Sequence, residues 1–520
     1  MHPDVSTLPQ NDHVFDTLCT SPKEVYDVLS SLKVGKAPGL DGIPPRLLQL
    51  CASGISSSLA SLFNHSFGTG SFPAAWKKAL VIPVFKKGAR DIPGNYRPIA
   101  LLPIVSKVME RLVHNKLTQF LAPWFALNQS GFKKKDGTTP QLIRLTQSWA
   151  DAVDSGHYVG AVFFDLRKAF DRVWHCGLLA KLQAAGISGA AYQWFVSFLK
   201  DRAQATLVDG STSDFSALHA GVPQGAILSP LLFSIYMNDI PFNDSTNLFA
   251  DNTSSYVVAS SSATLRQALQ ERTDGLSSWF SSWLLSVNSA KSAVMVFRSR
   301  KMQRVDVQIL VNSTPIPQVT FHRHLGVTFN ETLTWSNHVA GLTMKASAKI
   351  GFLRRLGKRL DSLVLRDLYL CCIRPALEYA CVVWSGLSTT DTLRLEHCNR
   401  SAAQLIVRLS PSSDVSHELV LACAGIQTLQ RRRQAAQVKF CCRALGSRLP
   451  SHLQTAVGSW LLPPSSHRMT CRASTIRLPR PHKNLLRTSP LYAAFSTWNS
   501  LPSSLRSSPT HASLELYFSP

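Results

Sequence analysis

Two aspartates, far apart along the chain, sit where a carboxylate can do chemistry. Asp165 closes the apolar run Ala161-Val162-Phe163-Phe164, and Asp251 lies inside Leu248-Phe249-Ala250-Asp251-Asn252-Thr253, which leads to Tyr256-Val257-Val258. The first run suits a buried strand ending in an acid. The second reads as two short strands meeting at a tight turn, with Asn252 and Thr253 as turn residues. An acid at a strand end or on such a turn is held rigidly, and Mg²⁺ is typically shared between one or two carboxylates and substrate phosphates. Each residue also has a plainer reading alone: Asp165 as a helix N-cap and Asp251 as turn chemistry. On neighbouring strands, however, the pair can hold two divalent ions. Those ions stabilise the attacking 3′-hydroxyl oxygen and the leaving pyrophosphate oxygen of an in-line displacement, which is nucleotidyl transfer.

The surrounding elements must bring cations and a close-fitting backbone to that pair. Residues 79–85 and 97–101 read as a strand pair with Lys86, Lys87 and Arg97 near its tip, a combination able to hold a triphosphate or simply to be a solvated hairpin end. GVPQGAILSPLLFSIYMNDI, residues 221–240, is a Gly/Pro loop running into an apolar helix, and Gly221 and Gly225 allow a backbone to approach a flat ligand closely. Lys291 stands between a turn and an apolar strand at 293–297. Periodicity places helices at 21–34, 46–67, from 104, at 141–155 and at 262–283, and alternation over 305–329 suggests a hairpin. His322 and His324 there lack acidic or Cys neighbours and make poor metal ligands.

From residue 336 the pattern turns helical, continuing through 365–379, 391–409 and 429–445. Lys345 with Lys349, Arg354 with Lys358 and Arg355 with Arg359 stand four apart, which puts much of the charge on shared helix faces able to track a phosphate backbone or to stay solvated. After Pro450 the composition shifts to Ser, Pro, Arg and His, the mark of a loosely ordered basic tail, with one island at 492–506 capable of packing. Cys441, Cys442 and Cys471 do not have the spacing of a zinc knuckle.

Composition agrees with a polyanionic partner. The chain has 520 residues with 55 Lys and Arg against 31 Asp and Glu, a net charge of +24. Its 11 cysteines show no CxxC pair and no regular spacing, which points to reduced thiols inside a cell rather than a disulfide framework. No apolar run reaches spanning length, so neither membrane insertion nor a secretory leader is expected.

The order of these pieces resembles the reverse transcriptase of a non-LTR (LINE-type) retrotransposon. The matching blocks are KVGKAPGLDGIP, IPVFKKG, NYRPIALLP, NQSGFKKKDGTTPQL, FFDLRKAFDRVWH, GVPQGAILSPLLF, LFADN, LSVNSAKS and HLGVTFNETLTWSNHV, spanning about residues 33–340. WNSLP near the C-terminus is similar to the end of such reading frames. The resemblance implies an α+β, right-hand polymerase of fingers, palm and thumb, with an antiparallel palm sheet, a helical thumb and a basic, partly disordered tail. It implies that Asp165 and Asp251 bind two Mg²⁺ ions, with Mn²⁺ able to substitute. Phe170 would exclude a 2′-hydroxyl, and Pro223, Gln224 and Gly225 would lie beside the template base and incoming nucleotide. Lys86 and Arg97 would meet the triphosphate, and Lys291 would be the general acid for pyrophosphate. Asp171 follows the family pattern as a structural residue. RNA template, DNA primer and deoxynucleoside triphosphates are the implied partners.

The expected division is a disordered lead at 1–20, an N-terminal extension and fingers at 21–120, a palm at 121–335, a helical thumb and connector at 336–448 and the tail at 449–520, with the reverse transcriptase domain at about 65–335. One departure bears on activity. The family has Phe/Tyr-Ala-Asp-Asp at the central turn, and here Asn252 replaces the second acid, leaving the metals one anion short. Elements of this kind usually carry an upstream endonuclease, so a shortened copy is expected. The competing reading is a catalytically inactive nucleic-acid-binding protein that keeps the fold. A third, an unrelated basic helical scaffold, would make the ordered blocks a coincidence.

Overall fold

Apolar residues at strand spacing and caps at helix starts set the architecture. In the computed structural model the described residues are 3, 5–133, 135–242, 244–357, 359–410, 412–461, 475–476, 478–482, 484–507 and 509–518. The principal strands are β1 (Lys78–Phe85), β2 (Tyr96–Leu101), β3 (Tyr158–Phe164), β4 (Arg202–Val208), β5 (Thr246–Phe249), β6 (Asn252–Ala259), β7 (Ala293–Phe297), β8 (Phe321–His324) and β9 (Val327–Asn330). Helices occupy most of the remainder, so the chain is a mixed α/β protein. One sheet runs β2-β1-β4 and continues to Ser211–Thr212, and Ser216–Leu218 also pairs with β4. Another sheet runs β5-β6-β3-β7.

The described chain forms two compact units, each assembled from separate stretches. The first holds Met1–Phe132, Phe164–Thr253 and Asp274–Asn288. Here Ser21 and Glu24 make a reciprocal capping box that starts the helix Pro22–Ser30, whose Val25 and Leu29 are buried. β1 and β2 form an antiparallel hairpin in which Val84 faces Arg97, and β1 also runs parallel to β4. In the same unit Phe67, Phe72, Trp194 and Phe198 pack against one another, edge to face and stacked.

The second unit holds Lys133–Phe163, Ser254–Thr273 and Ser289–Pro520. β3 and β7 are antiparallel from Val159↔Phe297 to Phe163↔Ala293, and every residue of β7 is buried. Trp149 of the helix Thr138–Asp154 stacks on Phe297 at 4.4 Å and meets Phe329 edge-on. The same hydrophobic cluster runs on through Tyr369, Trp384, Cys441 and Trp498.

Several expectations are corrected. In the described part of the lead, Asn11 and Phe15 donate to the carbonyls of Ala184 and Gly186, and Ser188 donates back to Phe15. The helix expected at 46–67 is broken at Cys51 into Pro45–Leu50 and Ala52–Gly68. The single hairpin at 305–329 is two, Ile309–Val311 with Thr314–Ile316 and β8 with β9. In the described part of the tail, the stretch around the island at 492–506 is packed. Helix Pro490–Asn499 buries Leu491, Ala494, Phe495 and Trp498. Its approach is fixed by polar side chains of the helix Thr138–Asp154: Asp154 accepts from the backbone of His482 and Leu486, and Gln147 from Leu491. This helix overlaps the island at 492–506 that the sequence marks as capable of packing, and its apolar residues fall on one helical face.

Candidate active site

The turn between β5 and β6 carries Asp251. Ala250 just before it has φ +56°, a left-handed conformation unusual for a residue with a Cβ. A neighbouring strip holds the turn there: Leu248 donates to the Asn128 carbonyl at 2.9 Å, and Ser130 donates back to Leu248 at 3.0 Å. Gly131 comes next, and a Cβ on it would collide with the Ala250 nitrogen. This support was missed in the sequence, although the Gly131 of NQSGF is its one visible trace.

Asp165 follows β3 and is half-buried. Residues 286–288 run alongside it: Arg167 donates to the Ser286 carbonyl at 2.8 Å, Leu166 bridges Val287, and Asn288 donates to the Asp165 carbonyl at 2.7 Å. The Asn288 side-chain amide also donates to Asp165 Oδ2 at 3.1 Å. Asp251 feels the charge of Asp165. Burial pushes the Asp251 carboxyl above its ordinary value, the Asp165 charge adds to the rise, and Lys86 and Arg97 oppose it. Thus the first unit brings Asp165, Asp251, Lys86 and Arg97 within electrostatic reach. Asn252 is exposed, and its amide makes long contacts to Asp251 Oδ1 at 3.4 Å and to the Phe249 carbonyl at 3.5 Å.

The Gly/Pro loop is anchored to the segment after Asp165. Gly221 and Val222 donate to the carbonyls of Val173 and Phe170, both at 2.8 Å, and Ala100 of β2 donates to the Gln224 carbonyl at 2.8 Å. Gly225 has φ +150°, and a Cβ there would strike the Ala100 carbonyl oxygen, so only glycine fits. Gln224 Nε2 donates to Asp171 Oδ1 at 2.9 Å, which shows what Asp171 does: it fixes the loop glutamine. Burial raises the Asp171 carboxyl, partly offset by that hydrogen bond. Phe170 stacks on Phe233 at 4.5 Å. Glu110, fully buried, accepts from the backbone of Ile227 and Leu228 and secures the start of the helix Ser229–Tyr236. An acid on the apolar face of the helix Ile104–Leu121 was its overlooked signal.

Other expected residues lie in the second unit. Lys291 is exposed at the turn before β7. Lys345, Lys349, Arg354 and Arg355 are exposed on the helix Ser336–Leu356, opposite buried Ala346, Ile350 and Leu353, and Arg359 is exposed just beyond it. Lys358 and Cys471 lie outside the described residues. His322 stacks on Phe163 at 4.1 Å, and Cys441 is buried against the Ala494 carbonyl. Among the described residues no group of three or more His, Cys, Asp or Glu is placed to hold a metal, every cysteine is free, and no helix is long and apolar enough to cross a membrane. A pair of carboxylates still fits a hard cation that takes its remaining ligands from phosphate and water.

The class defined so far is a mixed α/β domain whose candidate site pairs two aspartates beside two cations and a glycine loop. Residues 84–329 match the family of reverse transcriptases (RNA-dependent DNA polymerases). The chain is 31% identical over 379 residues to the RNA-directed DNA polymerase from mobile element jockey of Drosophila melanogaster, covering 70% of this chain and 41% of that protein. It is 29% identical over 400 residues to the probable RNA-directed DNA polymerase from transposon BS of the same fly, covering 74% and 44%. The corresponding match to the probable polymerase from transposon X-element is also 29% identical, again covering 74% and 44%. The chain therefore carries a reverse transcriptase domain of the non-LTR type and spans less than half the length of these relatives.

Proposed function

We propose that this chain is an RNA-directed DNA polymerase acting on an RNA template, a DNA primer and deoxynucleoside triphosphates. The observation that carries the reading is that Asp251, on the β5–β6 turn, and Asp165, just after β3, stand on neighbouring strands of one sheet, with β6 beside β3. Asp165 and Asp251 would hold two divalent ions, Mg²⁺ or in its place Mn²⁺, and the chemistry so supplied is neutralisation of charge on the attacking and leaving oxygens. Lys86 and Arg97, at the β1–β2 tip, bind the triphosphate as point charge and fork respectively. Phe170, braced by Phe233, blocks a 2′-hydroxyl. Pro223, Gln224 and Gly225 present the loop to the template base and incoming nucleotide, with Asp171 orienting Gln224. Lys291 donates a proton to the leaving pyrophosphate, a role worth roughly 10²–10⁴ in rate. Lys345, Lys349, Arg354, Arg355, Lys358 and Arg359 contact the nucleic-acid backbone, so binding weakens with salt. In this reading the first 120 residues and the hairpin are extension and fingers, the two aspartates belong to the palm, and the helices after residue 336 form the thumb.

A second reading, a nucleic-acid-binding protein without catalysis, is favoured by one observation: Asn252 gives the site an amide where a third carboxylate belongs. RNA-templated primer extension in Mg²⁺ and in Mn²⁺ separates the two. The proposal expects extension that Asp165→Asn and Asp251→Asn each abolish. Nucleic-acid binding with no extension in either metal supports the second reading.

A further inference from the structure

We propose that Asn288 is a positioning residue for Asp165, holding one carboxylate oxygen so that the acid presents its charge to a divalent cation in one orientation. The inference rests on the proposed function and deepens it. Residues 286–288 fix the backbone of residues 165–167 by two main-chain hydrogen bonds, which together make the antiparallel bridge between Leu166 and Val287. Such a ladder sets the position of Cα but leaves the side-chain torsions of Asp165 open. One restraint on them is the second contact, Asn288 Nδ2 to Asp165 Oδ2 at 3.1 Å. A donor to a carboxylate is a charge-assisted bond, stronger than a neutral pair. An amide suits the task for a further reason: it orients the acid without cancelling its charge, whereas a Lys or Arg in its place would compete with the cation. Outer partners of this kind are commonly worth 10–100-fold in metal affinity.

The two acids are held differently: Asp165 takes the 3.1 Å amide contact, whereas Asp251 has its own backbone N–H and the longer 3.4 Å contact from exposed Asn252. Because the Asn288 backbone N–H to the Asp165 carbonyl survives any side-chain change, the main-chain ladder and the carboxylate contact can be separated by mutation.

The test is a Mn²⁺ titration of the full chain followed by electron paramagnetic resonance, for wild type, Asn288→Ala, the nearly isosteric Asn288→Leu, and Asp165→Asn. We expect both Asn288 variants to bind Mn²⁺ about tenfold more weakly while melting, without metal, within about 2 °C of wild type. In primer extension the Mg²⁺ needed for half-maximal rate should rise about tenfold, with the saturating rate changed less than about threefold. Wild-type Mn²⁺ affinity in Asn288→Leu overturns the inference, as does a large metal-free loss of melting temperature in both variants, which would make the contact merely structural. Mn²⁺ binding by wild type that Asp165→Asn leaves intact overturns the proposed function itself, a different outcome from failure of the Asn288 variants alone.

Discussion

Replacing Asn252 with aspartate should convert a handicapped site into an efficient one, and the change has two measurable sides. Asn252 Nδ2 lies 3.4 Å from Asp251 Oδ1, so a carboxylate there would face a like charge at close range. At that separation and an effective dielectric of about 20, the repulsion is about 5 kcal/mol, and the exposure of residue 252 cuts it to roughly 1–2 kcal/mol. Without divalent cations, Asn252→Asp should therefore melt a few degrees below wild type. With Mg²⁺ the sign reverses, because the added anion faces cations, and the melting temperature should recover or exceed that of wild type. If only about 1.4 kcal/mol of that attraction is realised in the transition state, extension accelerates tenfold. The assay is single-nucleotide primer extension on an RNA template at matched Mg²⁺ and Mn²⁺ concentrations, paired with thermal melts in chelator and in Mg²⁺. Equal extension rates for the two proteins would refute the reasoning, as would a variant whose stability ignores the metal.

Three further outcomes follow from the packing. Gly225→Ala places a Cβ against the Ala100 carbonyl in a backbone conformation closed to alanine, and should both lower the melting temperature by several degrees and raise KM for deoxynucleotides at least about tenfold in steady-state extension of the folded fraction. Trp498→Ala empties a fully buried site in the tail helix and should cost about 3–5 kcal/mol, read as a lower melting temperature and faster proteolysis of the second unit; unchanged stability would show the tail is not part of that core. Burial pushes His322 and His338 down to about 4 and His324 down to about 3, so each stays neutral in the fold but protonates in the unfolded chain near its ordinary 6.5. Their contribution to stability is therefore complete above about pH 6.5 and is lost as pH falls from there toward 4, at up to about 1.4 kcal/mol per unit for each. Thermal melts between about pH 7 and 5 should steepen accordingly, and His324→Gln should flatten the curve.

Much of this was legible in the sequence because local signals agreed with the fold. The run 293–297 was read as a strand and β7 is Ala293–Phe297; Asp251 was placed on a strand-to-strand turn and stands between β5 and β6. The blocks that carry the family resemblance overlap the matched span 84–329. What stayed hidden is what touches what. Nothing at Asn288 or Asp171 marks one as the partner of Asp165 and the other as the partner of Gln224, since those contacts join residues remote in sequence. The tail is legible only in part for a related reason: its island at 492–506 stands out as able to pack, but the contacts that seat it come from Asp154 and Gln147, more than 300 positions earlier (separations of 328, 332 and 344). Composition records none of that.

The claim on which the account turns is that Asp165 and Asp251 share a divalent cation. Fe²⁺ substituted into the protein, with ascorbate and peroxide, cuts the backbone wherever the ion sits. The account predicts cleavage near both residue 165 and residue 251, suppressed by excess Mg²⁺ and lost from both positions in Asp165→Asn. Cleavage at one aspartate that persists when the other is neutralised would contradict it.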